Sequence, residues 1–130
     1  MRIQIRKSLY DKLDSLEESL EDQAKQNLMR IAQDAVYLSK PFVDTGAFIT
    51  SWQIHSGGRG RPRGKSSHGK PRRQSAEVKA AEAMQQLISD IAKVDISNNP
   101  KVVLRNGATH ARYVDAKYPR VEGTLRKKYG

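Results

Sequence analysis

The sequence contains no cysteine. This absence excludes a disulfide framework and any thiolate nucleophile or metal ligand, and it suits a reducing compartment. Long apolar runs are also missing, since none approaches the roughly 20 residues of a membrane span. The first six residues, MRIQIR, lack the apolar centre of a signal peptide. We therefore expect a soluble cytoplasmic protein that does not contact a membrane.

Groups suited to catalysis are few. No serine lies in a nucleophile-elbow context, and no glycine-rich phosphate loop follows a predicted strand. Asp44, Asp115 and Glu122 could bind magnesium as a nuclease would require, but nothing in their spacing brings them together. The histidines have no metal-ligand spacing. They are His55, His68 and His110. We expect no enzymatic activity, no cofactor and no metal site.

The first long segment predicts an amphipathic helix. Apolar residues recur at steps of three or four from Leu9 to Leu38, the spacing of one helix face. Ser8 with Asp11 supplies a candidate N-terminal cap, and Pro41 ends the helix, so we predict it over residues 8–39. Such a helix would be about 45 Å long, whereas a compact domain of this size is about 36 Å across. It would bend around the core, extend along a second helix, or bury part of its length against another subunit.

The remaining elements are shorter. The spacing predicts a second helix over residues 75–92, because apolar residues again share one face. Strands are predicted over residues 48–55 and 102–104, with a possible edge strand in residues 1–6 and a short helix or turn near the C-terminus. The face of the second helix comprises Ala76, Ala80, Met84, Leu87, Ile88 and Ile91. The predicted fold is one α+β domain over residues 1–130, with both helices packed on a small, mainly antiparallel sheet.

A turn and an aromatic anchor occupy residues 40–52, which contain the one tryptophan and both phenylalanines. Pro41 stops the preceding helix, and Asp44 can bond its own backbone two residues on. Thr45 lies between Asp44 and Gly46, which tolerates positive φ. We expect the following Trp52 to be buried in the core or between the strand and the long helix. An ordinary helix-to-strand turn would explain the same residues.

A second block lies near the C-terminus. Residues 101–107 predict a short strand that ends in a turn, and the sequence THARYVD follows at 109–115. Together with VDTGAFITSW at 43–52, this block resembles the phage tail-completion, or neck, proteins. In that family the strand and turn are typically followed by Tyr-Ala-x-Tyr-Val-Glu-x-Gly. Here His110 replaces the first tyrosine, Asp115 the glutamate and Lys117 the glycine.

The resemblance implies a structural protein of the virion. Such a subunit assembles in the host cytoplasm into a hexameric or dodecameric ring around the DNA channel. The ring joins a portal, connector or adaptor on one side to tail proteins on the other. Tyr113, Asp115 and Tyr118 are then candidates for the contact between subunits.

A basic segment at residues 58–73 contains seven basic residues and no acidic one. It offers no apolar surface to bury, so we expect a flexible loop that is dispensable for folding and is cut first by trypsin. Arginine and lysine on such backbone could contact DNA phosphates without reading bases. A solvated loop, or one that orders against an acidic neighbour, would explain the run equally well. The basic residues are Arg59, Arg61, Arg63, Lys65, Lys70, Arg72 and Arg73.

Charge is segregated along the chain. Residues 8–38 carry seven acidic and three basic side chains, whereas residues 101–130 carry eight basic and two acidic ones. These two segments could pair between neighbouring subunits in a head-to-tail contact, which closes into a ring if the rotation allows. The alternative to a neck subunit is a basic protein that binds nucleic acid without sequence preference. An enzyme is a distant third.

Overall fold

The computed structural model describes residues 2–10, 18–56, 69, 71–94, 101–108 and 120–130. Three strands and three α-helices lie in these ranges. They are β1 (Arg2–Gln4), α1 (Glu18–Ser39), β2 (Trp52–Ser56), α2 (Ala76–Lys93), β3 (Val102–Asn106) and α3 (Arg120–Tyr129). Short 3-10 turns occupy Lys7–Leu9, Lys40–Phe42 and Ile49–Ser51.

The strands form one antiparallel sheet in the order β1-β3-β2. Ile3 and Ile54 both pair with Leu104, from opposite sides of the central strand. The predicted strand after the turn therefore pairs with the predicted C-terminal strand, and the predicted N-terminal edge strand is confirmed. The α+β class is confirmed as well.

The helices form a layer over one face of the sheet, in which α1 contacts both α2 and α3. Helix α2 also packs on β2, and α3 packs on β1. Each edge strand is tied to its helix by a side chain. The backbone N–H of Ile54 donates to Oδ2 of Asp90 at 3.2 Å, and the Arg126 guanidinium donates to the carbonyl of Arg2 at 3.0 Å.

The predicted start of the first helix at residue 8 is wrong. Ser8 lies in the 3-10 turn, and Tyr10 leaves helical geometry with φ −138°. The physical reason is the burial of Tyr10, which is 1% exposed and accepts a hydrogen bond from the Val102 backbone N–H at 3.3 Å. The side chain thus ties the entry of the chain to β3. Residues 11–17 lie outside the described ranges, and α1 is described from Glu18 with 22 residues, about 33 Å.

The C-terminal end of α1 agrees with the prediction, since α1 ends at Ser39 before Pro41. The second helix is confirmed within one residue at each end, and Ser75 caps it by accepting from the Val78 N–H at 3.3 Å. Its predicted face needs one correction. Ile88 is 46% exposed, and Ala83 takes a buried place instead.

The predicted strand at residues 48–55 begins too early. Ile49–Ser51 form a 3-10 turn, and β2 begins at Trp52. The hydroxyl of Thr50 donates to the carbonyl of Gly46, and the hydroxyl of Ser51 donates to the carbonyl of Ala47, both at 2.5 Å. Such local bonds hold the backbone in a helical turn despite its β-branched and aromatic composition.

The C-terminal helix is held against α1 by Asp34. Lys128 donates to Asp34 Oδ2 at 2.8 Å, and the hydroxyl of Tyr129 donates to the same oxygen. Burial alone would raise the pKa of the Asp34 carboxyl, but the bonds from Lys128 and Tyr129 outweigh it and lower that pKa. The bond to Asp34 raises the pKa of the Lys128 ammonium in turn.

This cluster predicts a pH dependence of stability. Because the pKa of Asp34 is lowered in the folded state, its stabilisation is fully present above the ordinary aspartate pKa. It is lost as pH falls through the lowered value. We expect Asp34→Asn to unfold with a shallower loss of stability towards acid than the parent, measured by denaturant unfolding across a pH series. The control is Asp22→Asn, at an exposed position of the same helix. Equal acid slopes for Asp34→Asn and the parent would contradict the prediction.

In the described part of the chain, no helix is both long and apolar enough to span a membrane.

Candidate functional site

The turn between α1 and β2 is built around Gly46, whose φ is +84°. The predicted turn, with positive φ at Gly46, is confirmed. A Cβ here would also lie 2.6 Å from Cδ of Lys79, because the aliphatic part of that lysine crosses the turn from α2. The local side-chain bond comes from Thr45, whose Oγ1 accepts from the Ala47 N–H at 3.2 Å. The sequence predicted that Asp44 would bond the backbone two residues further on. Asp44 instead accepts hydrogen bonds from the backbone N–H groups of residues 73 and 74.

The aromatic anchor after the turn is Trp52, which is 1% exposed. Its predicted burial is confirmed. The indole Nε1–H donates to Oγ of Ser39 at 2.8 Å, and that hydroxyl donates to the carbonyl of Ala35 at 2.7 Å. Phe48 packs edge-on against the indole with ring centroids 5.8 Å apart. The buried indole therefore joins the start of β2 to the last turn of α1.

Asn106 joins the turn block to β3. Its side-chain amide donates to the carbonyl of Phe48 at 2.8 Å, and its Oδ1 accepts from the Ala108 N–H at 3.0 Å. Asn106 is 3% exposed and pairs with Trp52 across the sheet. The turn block thus contacts the end of β3 in the core, although Phe48 and Asn106 are 58 residues apart. Residues 109–115 of the second block lie outside the described ranges.

The basic segment returns to the domain at Asp44. We call residues Arg72 and Arg73 the arginine foot. Asp44 Oδ1 accepts from the backbone N–H of Arg73 at 3.0 Å, and the Asp44 carbonyl accepts from the Gln74 N–H at 2.8 Å. Arg73 has φ +59°, a left-handed conformation that costs an L-residue about 1–2 kcal/mol. Both arginines are exposed.

Several predicted site residues lie outside the described ranges. They are Arg59, Arg61, Arg63, Lys65, Lys70, Tyr113, Asp115 and Tyr118. The structure brings Asp44 and the arginine foot together, and it brings the turn block together with β3. Among the described residues there is no group of three or more metal-ligating side chains, and Asp115 lies outside them. His55 lies on β2, where both ring nitrogens are buried without a hydrogen-bond partner.

Sequence reasoning missed the roles of Ser39 and Asn106. Ser39 accepts from the Trp52 indole and Asn106 donates to the Phe48 carbonyl, but a serine at a helix end and an asparagine in a turn are ordinary on sequence grounds. It also missed three large apolar side chains that are exposed on α1 and α2. They are Tyr37 (71%), Val78 (64%) and Ile88 (46%).

Comparison of the chain with protein-family models, curated proteins and solved structures finds no match. The function is therefore argued from the residues of the chain itself.

Proposed function

We propose that this protein is a structural subunit of a phage neck. It forms a homo-oligomeric ring, hexameric or dodecameric, around the DNA channel and joins the portal or connector to the tail. No catalytic chemistry or cofactor belongs to this role. The subunit assembles in the host cytoplasm and resides in the virion.

One observation carries the proposal, namely the bond from Asn106 to the Phe48 carbonyl. The resemblance to neck proteins rests on two short blocks, each of which is degenerate alone. The bond joins the first block to Asn106, in the strand and turn that open the second block, and this supports treating the two as one structural unit. Residues 109–115, which complete the second block, lie outside the described ranges. The same unit places the end of α1, the start of β2 and the end of β3 in one rigid core.

The helix layer supports the proposed assembly through its composition. Tyr37, Val78 and Ile88 expose apolar surface on the helices, and burying apolar side chains between subunits is favourable. The described part of α1 is 22 residues, about 33 Å long, which is less than the width of about 36 Å of a compact domain of this size. The length of α1 therefore does not support a contact between subunits. The proposed subunit contact therefore depends on these exposed side chains and on the segregated charge.

A second candidate function is sequence-independent binding of nucleic acid. The observation in its favour is the excess of basic residues in the segment at 58–73, which ends in the arginine foot. In this alternative the protein would act as a monomer on DNA, and no ring would be needed.

Native mass spectrometry of the purified protein, with and without duplex DNA, separates the two functions. We expect closed oligomers of one size that form without DNA, or form once connector protein is added. Ile88→Glu should shift the population towards monomer, because it places a charge in the proposed contact. The matched control is Gln4→Glu, which puts the same charge at an exposed position on β1, outside the two helices of the proposed contact. Oligomers that require DNA and vary in size with its length would favour the alternative.

A further inference from the structure

We propose that the arginine foot is a pre-ordered contact for the phosphate backbone of duplex DNA, and that Asp44 is the residue that positions it. This inference rests on the proposed function, since it names the partner of one part of the ring subunit. The inference concerns Arg72 and Arg73 alone and not the other basic residues of the segment. The two bonds that attach the foot to the folded domain run from Asp44 to residues 73 and 74.

The first step is the backbone conformation of Arg73. At Gly69, a few residues earlier, the chain has φ +73° and uses glycine, the residue that adopts this region without strain. Arg73 also has positive φ, +59°, but here the residue is an arginine. Glycine is common elsewhere in this segment, so the arginine at position 73 does not reflect a lack of glycine in the segment. A strained non-glycine residue in an exposed position indicates that its side chain has a use.

The second step is the way Asp44 holds the foot. Its carboxylate binds the backbone N–H of Arg73, not the guanidinium, and its carbonyl binds the next N–H along the chain. Asp44 is itself fixed by the turn at Gly46, which lies beneath Lys79. The backbone of the foot is therefore fixed, while both side chains extend into solvent.

The third step is charge. Ion pairs between described residues include Lys40 with Glu77, Lys79 with Glu82, Arg126 with Glu122, and Lys128 with Asp34. Neither guanidinium of the foot pairs with a described acidic residue. Two adjacent, exposed guanidinium groups that form no ion pair with a described residue fit phosphate oxygens, which arginine binds through paired N–H donors. A fixed foot also loses less conformational entropy on binding than a mobile one would.

The test is binding of a labelled DNA duplex across a salt series. We expect Arg72→Gln with Arg73→Gln to weaken binding on the order of 10-fold. The slope of log K against log salt should fall by about 1.8, which corresponds to two phosphate contacts. Arg72→Lys with Arg73→Lys should retain most of the slope. The matched control removes the same charge from α1 through Lys25→Gln with Arg30→Gln. An equal loss in that control would overturn the proposal, because the effect would then be one of net charge.

The positioning role of Asp44 has its own comparison. Asp44→Ala and Asp44→Asn remove the same charge, but only asparagine keeps an oxygen that can accept from the Arg73 N–H. We expect weaker DNA binding by Asp44→Ala than by Asp44→Asn, with both variants folded by circular dichroism. Arg73→Gly should fold at least as stably as the parent and still lose affinity. Identical affinity of the two Asp44 variants would overturn the positioning role.

Two further outcomes decide the identity of the partner. Polyglutamate should not compete with duplex DNA, and competition at equal charge would overturn the DNA assignment in favour of an acidic protein. The oligomeric state of each variant is measured in parallel. Rings that form normally while the foot variants bind DNA like the parent would refute this inference and leave the proposed function standing. DNA binding that depends on the foot in a protein that never assembles would refute only the ring.

Discussion

Replacing Trp52 with alanine is expected to lower the free energy of unfolding by about 3–5 kcal/mol, the range measured when a large buried aromatic is removed from a core. The indole is 1% exposed and packs against Phe48. Its loss leaves a cavity and also leaves the Ser39 hydroxyl without the donor that it accepts from. Denaturant unfolding followed by circular dichroism measures the change.

The control for this prediction is Trp52→Phe. Phenylalanine keeps much of the packing but has no N–H to donate, so we expect a loss smaller than that of alanine. Ser39→Ala removes the other partner of the same bond and should cost about 1–3 kcal/mol, because it leaves the buried indole N–H unsatisfied. A parent-like unfolding midpoint for Trp52→Ala would show that the indole is not an anchor.

The second large effect is expected at Asn106. Asn106→Ala removes the donor to the Phe48 carbonyl and the acceptor of the Ala108 N–H, and both of these bonds are buried. The Phe48 carbonyl keeps a bond from the Ser51 N–H at 3.1 Å, so the substitution removes one of its two bonds and leaves the buried Ala108 N–H without its acceptor. We expect a cost of about 2–4 kcal/mol, because an unsatisfied buried donor costs about 1–3 kcal/mol and a lost hydrogen bond about 0.5–1.5 kcal/mol. Unfolding in denaturant gives this value. Because the amide links the turn block to β3, hydrogen exchange should also increase at residues 48–52 and 102–106.

Asn27→Ala supplies the comparison for Asn106. The amide of Asn27 donates to the carbonyl of Leu9 at 3.0 Å, but the bond is only partly buried. Its removal should cost less than that of Asn106, because water can replace the lost donor. Equal costs at the two positions would mean that the contact between the blocks adds nothing beyond an ordinary hydrogen bond.

The sequence predicted those parts of the fold in which local pattern and tertiary packing agree. Helix α2 has a serine cap and a steady apolar spacing, and both of its ends were found within one residue. The role of Gly46 was predicted because glycine adopts positive φ in a turn without strain. The burial of Trp52 was predicted because a large aromatic side chain usually packs in the core. The pairing of the strands on either side of α2 agrees with their prediction as neighbours in one small sheet.

The sequence failed where a distant contact decides the local conformation. Leu9 continues the apolar spacing of the first helix, but it ends a 3-10 turn, and the chain leaves helical geometry at Tyr10, which is buried against β3. Residues 49–51 are rich in β-branched side chains, yet hydroxyl bonds to the carbonyls of Gly46 and Ala47 keep them in a turn. The bond between Asp44 and Arg73 joins residues that are 29 positions apart in the sequence, and no local sequence pattern predicts it.

A reconstruction of the assembled virion, supported by cross-linking within the particle, tests the proposed neck function most directly. We predict density for several copies of this chain in a single ring around the DNA channel, between the portal and the tail. Cross-links should join the exposed residues of α1 and α2 in one subunit to the next subunit. Absence of the protein from the particle, with monomers found only on scattered nucleic acid, would contradict the neck assignment and favour the DNA-binding alternative.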